Sequence, residues 1–320
     1  MRPTRFLSLL GAVALAGWCV LAHAQHRIIV NYPPGGGLDA AARMIAEKLS
    51  ENTGRSYVVE NRAGAAGTIG AAALKGAPAD GSILLFAPDS NISVYPHTLK
   101  KPAYVPLSDF VGIAHGGNYR IALAVGATVP AKDLRELVAW TKSQSAPAGY
   151  GTAGAGTNLH FFATLLVQAT GANMNHIPYR GTVPALTDLV AGHVPAAVLP
   201  MGSMLSHGRS GKIRFLAQTG DDRSASLPEV PSFKELGYPM LAVSGWYGLF
   251  APFGTPPDVI SRFNDVVAKA MRTPDVRERM RTFELDIREM SAAEFQAMVK
   301  TDTERWSPII RSSGFTAAAE

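Results

Sequence analysis

Residues 27–49, RIIVNYPPGGGLDAAARMIAEKL, contain the pattern that indicates the fold most clearly. Its first six residues predict a buried strand, because Ile28–Val30 form a short apolar run. The prolines and glycines then end the strand. A helix is predicted from about Leu38 to Glu51, since apolar residues recur at i, i+3, i+7 and i+11. A strand, a glycine-rich turn and an amphipathic helix in this order are typical of an α/β fold.

The same unit recurs along the chain. Strands are predicted at Ser56–Glu60 and Ser82–Ala87, with a glycine-rich turn and a helix of small residues, Thr68–Lys75, between them. The alternation then restarts and predicts a second α/β unit. Its predicted strands are Ile121–Gly126, Gly149–Gly151, Asn175–Pro178, Ala196–Leu199 and Phe215–Gln218, and its helices are Ala131–Lys142, Asn158–Thr170 and Pro184–Ala191.

These patterns predict two α/β lobes joined by two crossover strands, near Ile121–Gly126 and Val243–Phe250. The rest of the chain is helical, and Ser291 with Glu294 predicts a capping box for the final helix. We expect the C-terminal helices to pack back on the first lobe. The predicted division is a signal peptide at 1–24, the first lobe at 25–121 and 247–320, and the second lobe at 122–246.

The N-terminus predicts export. Arg2 and Arg5 precede an uncharged run, and Ala22-His23-Ala24 supplies small residues at the −3 and −1 positions of a cleavage site. This order is typical of a secretory signal peptide cleaved after Ala24, so we expect a periplasmic protein. A membrane anchor is the alternative, but the apolar run is at the short limit for spanning a bilayer.

Composition excludes several classes of protein. The chain has 320 residues, of which 47% are hydrophobic, and a single cysteine, so neither a disulfide scaffold nor a thiolate zinc site is expected. The 30 basic residues barely exceed the 25 acidic ones and form no basic block, which argues against nucleic-acid binding. The histidines show no metal-ligand spacing, so no metal is predicted.

Two glycine-rich loops each open a helix, at Gly35–Gly37 and at Gly151–Gly156. A helix N-terminus has unpaired N–H groups and a partial positive charge, and glycines allow a ligand to approach them closely. One such loop in each lobe predicts a cleft that holds an anion such as a carboxylate or phosphate from both sides.

An enzyme is the competing interpretation. Gly35-Gly36-Gly37-Leu38-Asp39-Ala40 fits the dinucleotide-binding fingerprint, and Glu60 ends the next strand. However, Pro33-Pro34 stands where the tight turn should begin, and no set of catalytic residues accompanies it. We therefore predict no cofactor and no enzymatic activity.

Six separated motifs resemble those of the Bug-type receptors, the extracytoplasmic solute-binding proteins of tripartite tricarboxylate transporters. The resemblance covers essentially the whole chain after the leader. The matching segments are Tyr32–Asp39, Val59–Gly67, Tyr150–His160, Pro178–Gly181, Leu227–Pro231 and Trp246–Pro252.

The resemblance implies a type II periplasmic binding-protein fold that closes on a small carboxylate and delivers it to membrane permease subunits. We also expect a monomer. The alternative is a ligand sensor that signals to a sensor kinase instead of delivering the ligand to a permease. The ligand-binding residues that the resemblance implies are Tyr32, Pro34, Gly35, Gly36, Asp39, Gly151, Thr152, Gly154, Thr157 and His160, with Tyr179 as a neighbour in the cleft.

One position departs from the family pattern. Many relatives carry an aspartate where this sequence has Leu199, followed by Pro200-Met201-Gly202. An acidic group that could face an ammonium is thus missing. This favours a carboxylate without a charged amine, either aromatic or dicarboxylic, over an amino acid.

Overall fold

The structure is a computed structural model that describes residues 25–315, so the predicted signal peptide lies outside the described residues. Two sheets organise this part of the chain. We call the six-stranded sheet and its helices the first lobe, and the five-stranded sheet and its helices the second lobe. No helix between residues 25 and 315 is long and apolar enough to cross a membrane.

The first lobe is built on a mixed sheet. Its strands are β1 (His26–Val30), β2 (Tyr57–Asn61), β3 (Ile83–Pro88), β4 (Phe110–Tyr119), β10 (Gly245–Pro252) and β11 (Leu285–Asp286). β1 lies between β2 and β3 and is parallel to both, as the alternation of strands and helices predicts. β10 lies antiparallel between β3 and β4, and β11 pairs antiparallel with β4.

The second lobe repeats this plan. Its strands are β5 (Ile121–Gly126), β6 (Ala148–Thr152), β7 (Met174–Pro178), β8 (Ala196–Pro200) and β9 (Ile213–Gln218). β6 is parallel to β7 and β8, while β5 lies antiparallel between β8 and β9. The chain enters this lobe between β4 and β5 and leaves it before β10. The residue boundaries predicted for the lobes, 25–121 with 247–320 and 122–246, stay a prediction.

Helices cover both sheets. They are α1 (Gly37–Thr53), α2 (Thr68–Lys75), α3 (Pro106–Asp109), α4 (Leu134–Ser143), α5 (Asn158–Thr170), α6 (Thr182–Ala191), α7 (Met201–Arg209), α8 (Pro257–Arg272), α9 (Pro274–Thr282) and α10 (Ala292–Ser312). α8 and α10 pack against β4, and α8 also packs against α1. The prediction that the C-terminal helices return to the first lobe is confirmed.

Burial explains why the opening stretch folds as predicted. Leu38, Ala41, Ile45 and Leu49, the apolar positions of α1, are all buried. The helix ends at Gly54, whose φ of 68° is the left-handed conformation that glycine adopts without strain. α1 therefore packs on the sheet and points its N-terminus at the carboxyl ends of β1 and β3.

The sequence did not predict α7 or β4. Gly202, Ser203 and Gly208 are poor helix formers, so the local pattern between Met201 and Arg209 indicated no helix. In the structure Met201, Met204 and Leu205 are buried, and this packing stabilises α7. Tertiary contacts thus outweigh the local preference.

The capping box of the last helix is confirmed and supports a prediction about stability. The Ser291 hydroxyl accepts a hydrogen bond from the Glu294 N–H at 3.2 Å, and the Ser291 N–H donates to the Glu294 carboxylate at 2.8 Å. We expect Ser291→Ala to lower the free energy of unfolding by about 1 kcal/mol, because a helix N–H loses its partner. Urea unfolding measures this, and an unchanged midpoint would contradict it.

Candidate ligand-binding site

A narrow cavity lies between the lobes. The volume open to water inside it is about 50 Å³, which is enough for several water molecules. Four helices begin at its wall: α1 in the first lobe and α5, α6 and α7 in the second. The residues that line it are Tyr32, Pro33, Gly36, Gly37, Leu38, Pro88, Ser90, Tyr119, Ala153, Thr157, Asn158, Leu159, Thr182, Val183, Pro200, Ser203 and Tyr247.

The wall of the cavity offers hydrogen-bond donors. Each helix N-terminus presents N–H groups that lack a partner within the helix, together with the positive end of the helix dipole. Within residues 25–315 the hydroxyls of Thr182, Ser203 and Tyr247 have no hydrogen-bond partner, although Tyr247 is only 4% exposed. An anion in the cavity would therefore meet backbone and hydroxyl donors from both lobes.

The cavity is otherwise apolar and uncharged. None of the described residues that line it carries an acidic or basic side chain. Tyr119 and Tyr247 stack with their ring centroids 4.6 Å apart, and Pro88 and Pro200 lie beside them on the wall. Such a site binds an anion through N–H and O–H groups and packs the rest of the ligand against rings.

The structure brings three of the predicted site residues to the cavity: Tyr32, Gly36 and Thr157. The Tyr32 hydroxyl donates to the Ala66 carbonyl at 2.8 Å, so its ring faces the cavity while its polar end is engaged in the first lobe. Thr157 is the N-cap of α5, and its hydroxyl accepts from the His160 N–H at 3.3 Å. Thr157 thus fixes the helix terminus that faces the ligand.

Asp39 holds the first loop and does not line the cavity. Its buried carboxylate accepts hydrogen bonds from the Gly35 N–H at 3.1 Å, from Arg43 at 3.0 Å and from Asn61 at 2.9 Å. Burial opposes the charge, but these hydrogen bonds outweigh it and keep the pKa of Asp39 below its ordinary value. Gly35 lines a groove on the far side of the loop, and Pro34 is exposed.

Four further predicted residues, Gly151, Thr152, His160 and Tyr179, do not line the cavity. Thr152 is buried and contacts the His176 Nε2 at 2.7 Å, and the His160 Nδ1 accepts from the Gly156 N–H at 3.2 Å. The imidazole rings of His160 and His176 stack with their centroids 3.9 Å apart. Burial lowers the pKa of both, that of His176 to about 3, so both rings are neutral at pH 7.

The other two of these four predicted residues are neighbours in space. Gly151 lies beneath the ring of Tyr179, and the Tyr179 hydroxyl donates to the Asp188 carboxylate at 2.8 Å.

Tyr179 and Gly154 line a second, open groove that adjoins the cavity. A Cβ on Gly154 would lie 3.0 Å from Ala66 of the first lobe, and one on Gly181 would lie 2.9 Å from Pro33. The two lobes therefore touch closely at glycines on both sides of the groove.

Sequence reasoning missed several lining residues, and one structural rule could have found some of them. Ligands of open α/β sheets bind at the carboxyl ends of strands. Ser90 follows the end of β3, and Ser203 follows the end of β8. Leu199 itself is fully buried in β8, and Pro200 is the neighbour that lines the cavity.

Comparison with known proteins then decides the family. The family model described as the tripartite tricarboxylate transporter family receptor matches residues 41–315. The chain belongs to this receptor family. The receptor is 32% identical over 322 residues to Protein BugT of Bordetella pertussis, an alignment that covers 98% of this chain and 99% of BugT.

Solved structures agree with this assignment. MatC of Rhodopseudomonas palustris with bound malate superposes with a TM-score of 0.84 at 27% identity, covering 89% of the receptor and 98% of MatC. R. palustris Rpa4515 with adipate gives a TM-score of 0.86 at 27% identity, covering 91% and 97%. The predicted two-lobe periplasmic binding-protein fold is confirmed.

Proposed function

We propose that this receptor captures a small carboxylate in the cavity between its lobes and delivers it to the membrane permease subunits of a tripartite tricarboxylate transporter. One observation carries the proposal: four helices from both lobes begin at one cavity that also holds unbonded hydroxyls. Malate in MatC and adipate in Rpa4515 support a carboxylate as the ligand. The carboxylate would bridge both lobes and so favour their closure.

We propose further that the ligand lacks a charged amine. An ammonium buried without an acidic partner would be unfavourable, and the described cavity wall offers no such partner. The stacked rings of Tyr119 and Tyr247 suit an aromatic acid or a dicarboxylate with an apolar body.

The remaining parts of the proposal follow from the sequence and the family. The receptor is exported through a signal peptide cleaved after Ala24, acts as a monomer, and has no enzymatic activity, cofactor, metal or nucleic-acid partner. Glu60, the acidic residue of the dinucleotide fingerprint, forms ion pairs with Arg27 at 3.2 Å and Arg62 at 2.6 Å. These ion pairs favour a structural role for Glu60 over ribose binding.

A thermal-shift screen tests the proposal. The protein from Gln25 onward is heated with malate, adipate, benzoate, aspartate, glutamate and NAD at equal concentration. A ligand at 100 times its Kd stabilises the folded state by about 2.7 kcal/mol, which raises Tm by several degrees. We expect at least one acid without an amine to do so. Stabilisation by aspartate or glutamate alone would contradict the ligand class, and stabilisation by NAD alone would contradict the receptor function.

A further inference from the structure

A buried polar network crosses between the lobes beside the cavity. The Asn158 amide group, at the start of α5, donates to the Asp89 carboxylate at 3.0 Å and to the Tyr119 hydroxyl at 2.8 Å. Tyr119 donates to the other Asp89 oxygen at 3.0 Å, and the Ser90 hydroxyl donates to the Asn158 carbonyl oxygen at 2.7 Å. We call Asp89, Ser90, Tyr119 and Asn158 the interlobe network. All four residues are buried.

The network is complete without a ligand. The Asn158 N–H donates to the Ser90 hydroxyl at 3.2 Å, so backbone and side chain of Asn158 both bind the first lobe. Each polar atom of the Asp89 carboxylate and the Asn158 amide has a partner. The network therefore joins the two lobes and does not supply free donors to a ligand. The unbonded hydroxyls of the cavity, by contrast, do not join the lobes.

We propose that Asn158 is a positioning residue for lobe closure, which ties the second lobe to Asp89, Ser90 and Tyr119. The Asp89 carboxylate accepts side-chain hydrogen bonds from two neutral donors, Tyr119 of its own lobe and Asn158 of the second lobe. No cation of the described chain forms an ion pair with Asp89.

Distance measurement between spin labels tests this without a ligand, so its outcome is independent of the proposed function. The chain from Gln25 onward has no cysteine, which allows labels at Gln168→Cys in the second lobe and Lys300→Cys in the first. Both residues are exposed. The ratio of closed to open populations is measured at pH 7 for the labelled protein and for its Asn158→Ala and Asn175→Ala variants.

Asn158→Ala should lower the ratio of closed to open populations at least about tenfold, because it removes the side-chain hydrogen bonds to Asp89, Tyr119 and Ser90 that join the lobes. Asn175→Ala, at an exposed position of the same lobe, should leave the ratio unchanged. An Asn158→Ala ratio equal to that of Asn175→Ala would overturn the proposal.

Discussion

Gly202→Ala is expected to lower the affinity for a carboxylate at least about 100-fold, a loss of about 2.7 kcal/mol of binding free energy. Gly202 is the second residue of α7, and a Cβ at this position would overlap the backbone carbonyl of Phe283 in the first lobe. Backbone cannot move aside as a flexible side chain can. The added methyl group therefore forces the lobes apart.

The location of this collision separates binding from folding. Gly202 and Phe283 belong to different lobes, so the substitution disturbs neither core, and alanine favours the helix. We expect Tm without ligand to stay close to that of the unmutated receptor. Gly76→Ala is the matched control, because nothing lies within 4 Å of its added Cβ.

Calorimetric titration measures the effect, with a carboxylate that stabilises the receptor in the thermal-shift screen. If Gly202→Ala bound the carboxylate as tightly as Gly76→Ala does, the ligand-bound lobes would not meet at Phe283. A large fall in Tm would instead place the collision within the folded core.

Features of the site that depend on local sequence could be predicted. Pro33 and the glycines that follow it end β1 within a few residues. Thr157 caps α5 by accepting a hydrogen bond from the N–H three residues later. Both signals lie within a few consecutive residues of the sequence. These segments bring Tyr32, Gly36 and Thr157 to the cavity. The anion-binding character of the two loops follows from the same local patterns.

Features that depend on distant contacts could not be predicted. Tyr247 reaches the cavity because β10 returns from the second lobe to lie between β3 and β4. Ser203 is placed by α7, a helix that packing stabilises against its own composition. The resemblance predicts Asp39 at the ligand, but its carboxylate binds Arg43 and Asn61, and no spacing rule indicates that the side chain turns toward the loop.

The Leu199 position shows the same limit. The departure from the family pattern falls at Leu199, whose side chain is buried in the sheet, while Pro200 one residue later lines the cavity. Successive side chains of a strand point to opposite faces, and the sequence alone does not tell which of the two faces the cavity. Neither side chain carries a charge, so the hypothesis of a ligand without a charged amine does not depend on this choice.

Thr157→Asp is expected to reduce carboxylate binding at least about 100-fold. Thr157 lines the cavity at the N-terminus of α5, so an aspartate there places a negative charge where the ligand carboxylate should lie. Two like charges about 4 Å apart repel by about 4 kcal/mol at the effective dielectric constant of a protein surface. Aspartate is as good an N-cap as threonine and suits the helix dipole, so the start of α5 should stay helical. Its carboxylate cannot donate to the Gly154 carbonyl as the Thr157 hydroxyl does, so we expect a lower Tm without ligand as well.

Thr157→Asn isolates the charge, because asparagine has nearly the same shape as aspartate, also caps helices and is neutral. It can donate to the Gly154 carbonyl, which now accepts from the Thr157 hydroxyl at 2.8 Å. We expect Thr157→Asn to bind within about tenfold of the unmutated receptor, a difference of at most about 1.4 kcal/mol. Calorimetric titration of both variants with the same carboxylate decides the matter. Equal affinities for aspartate and asparagine at position 157 would mean that the ligand's charge lies elsewhere.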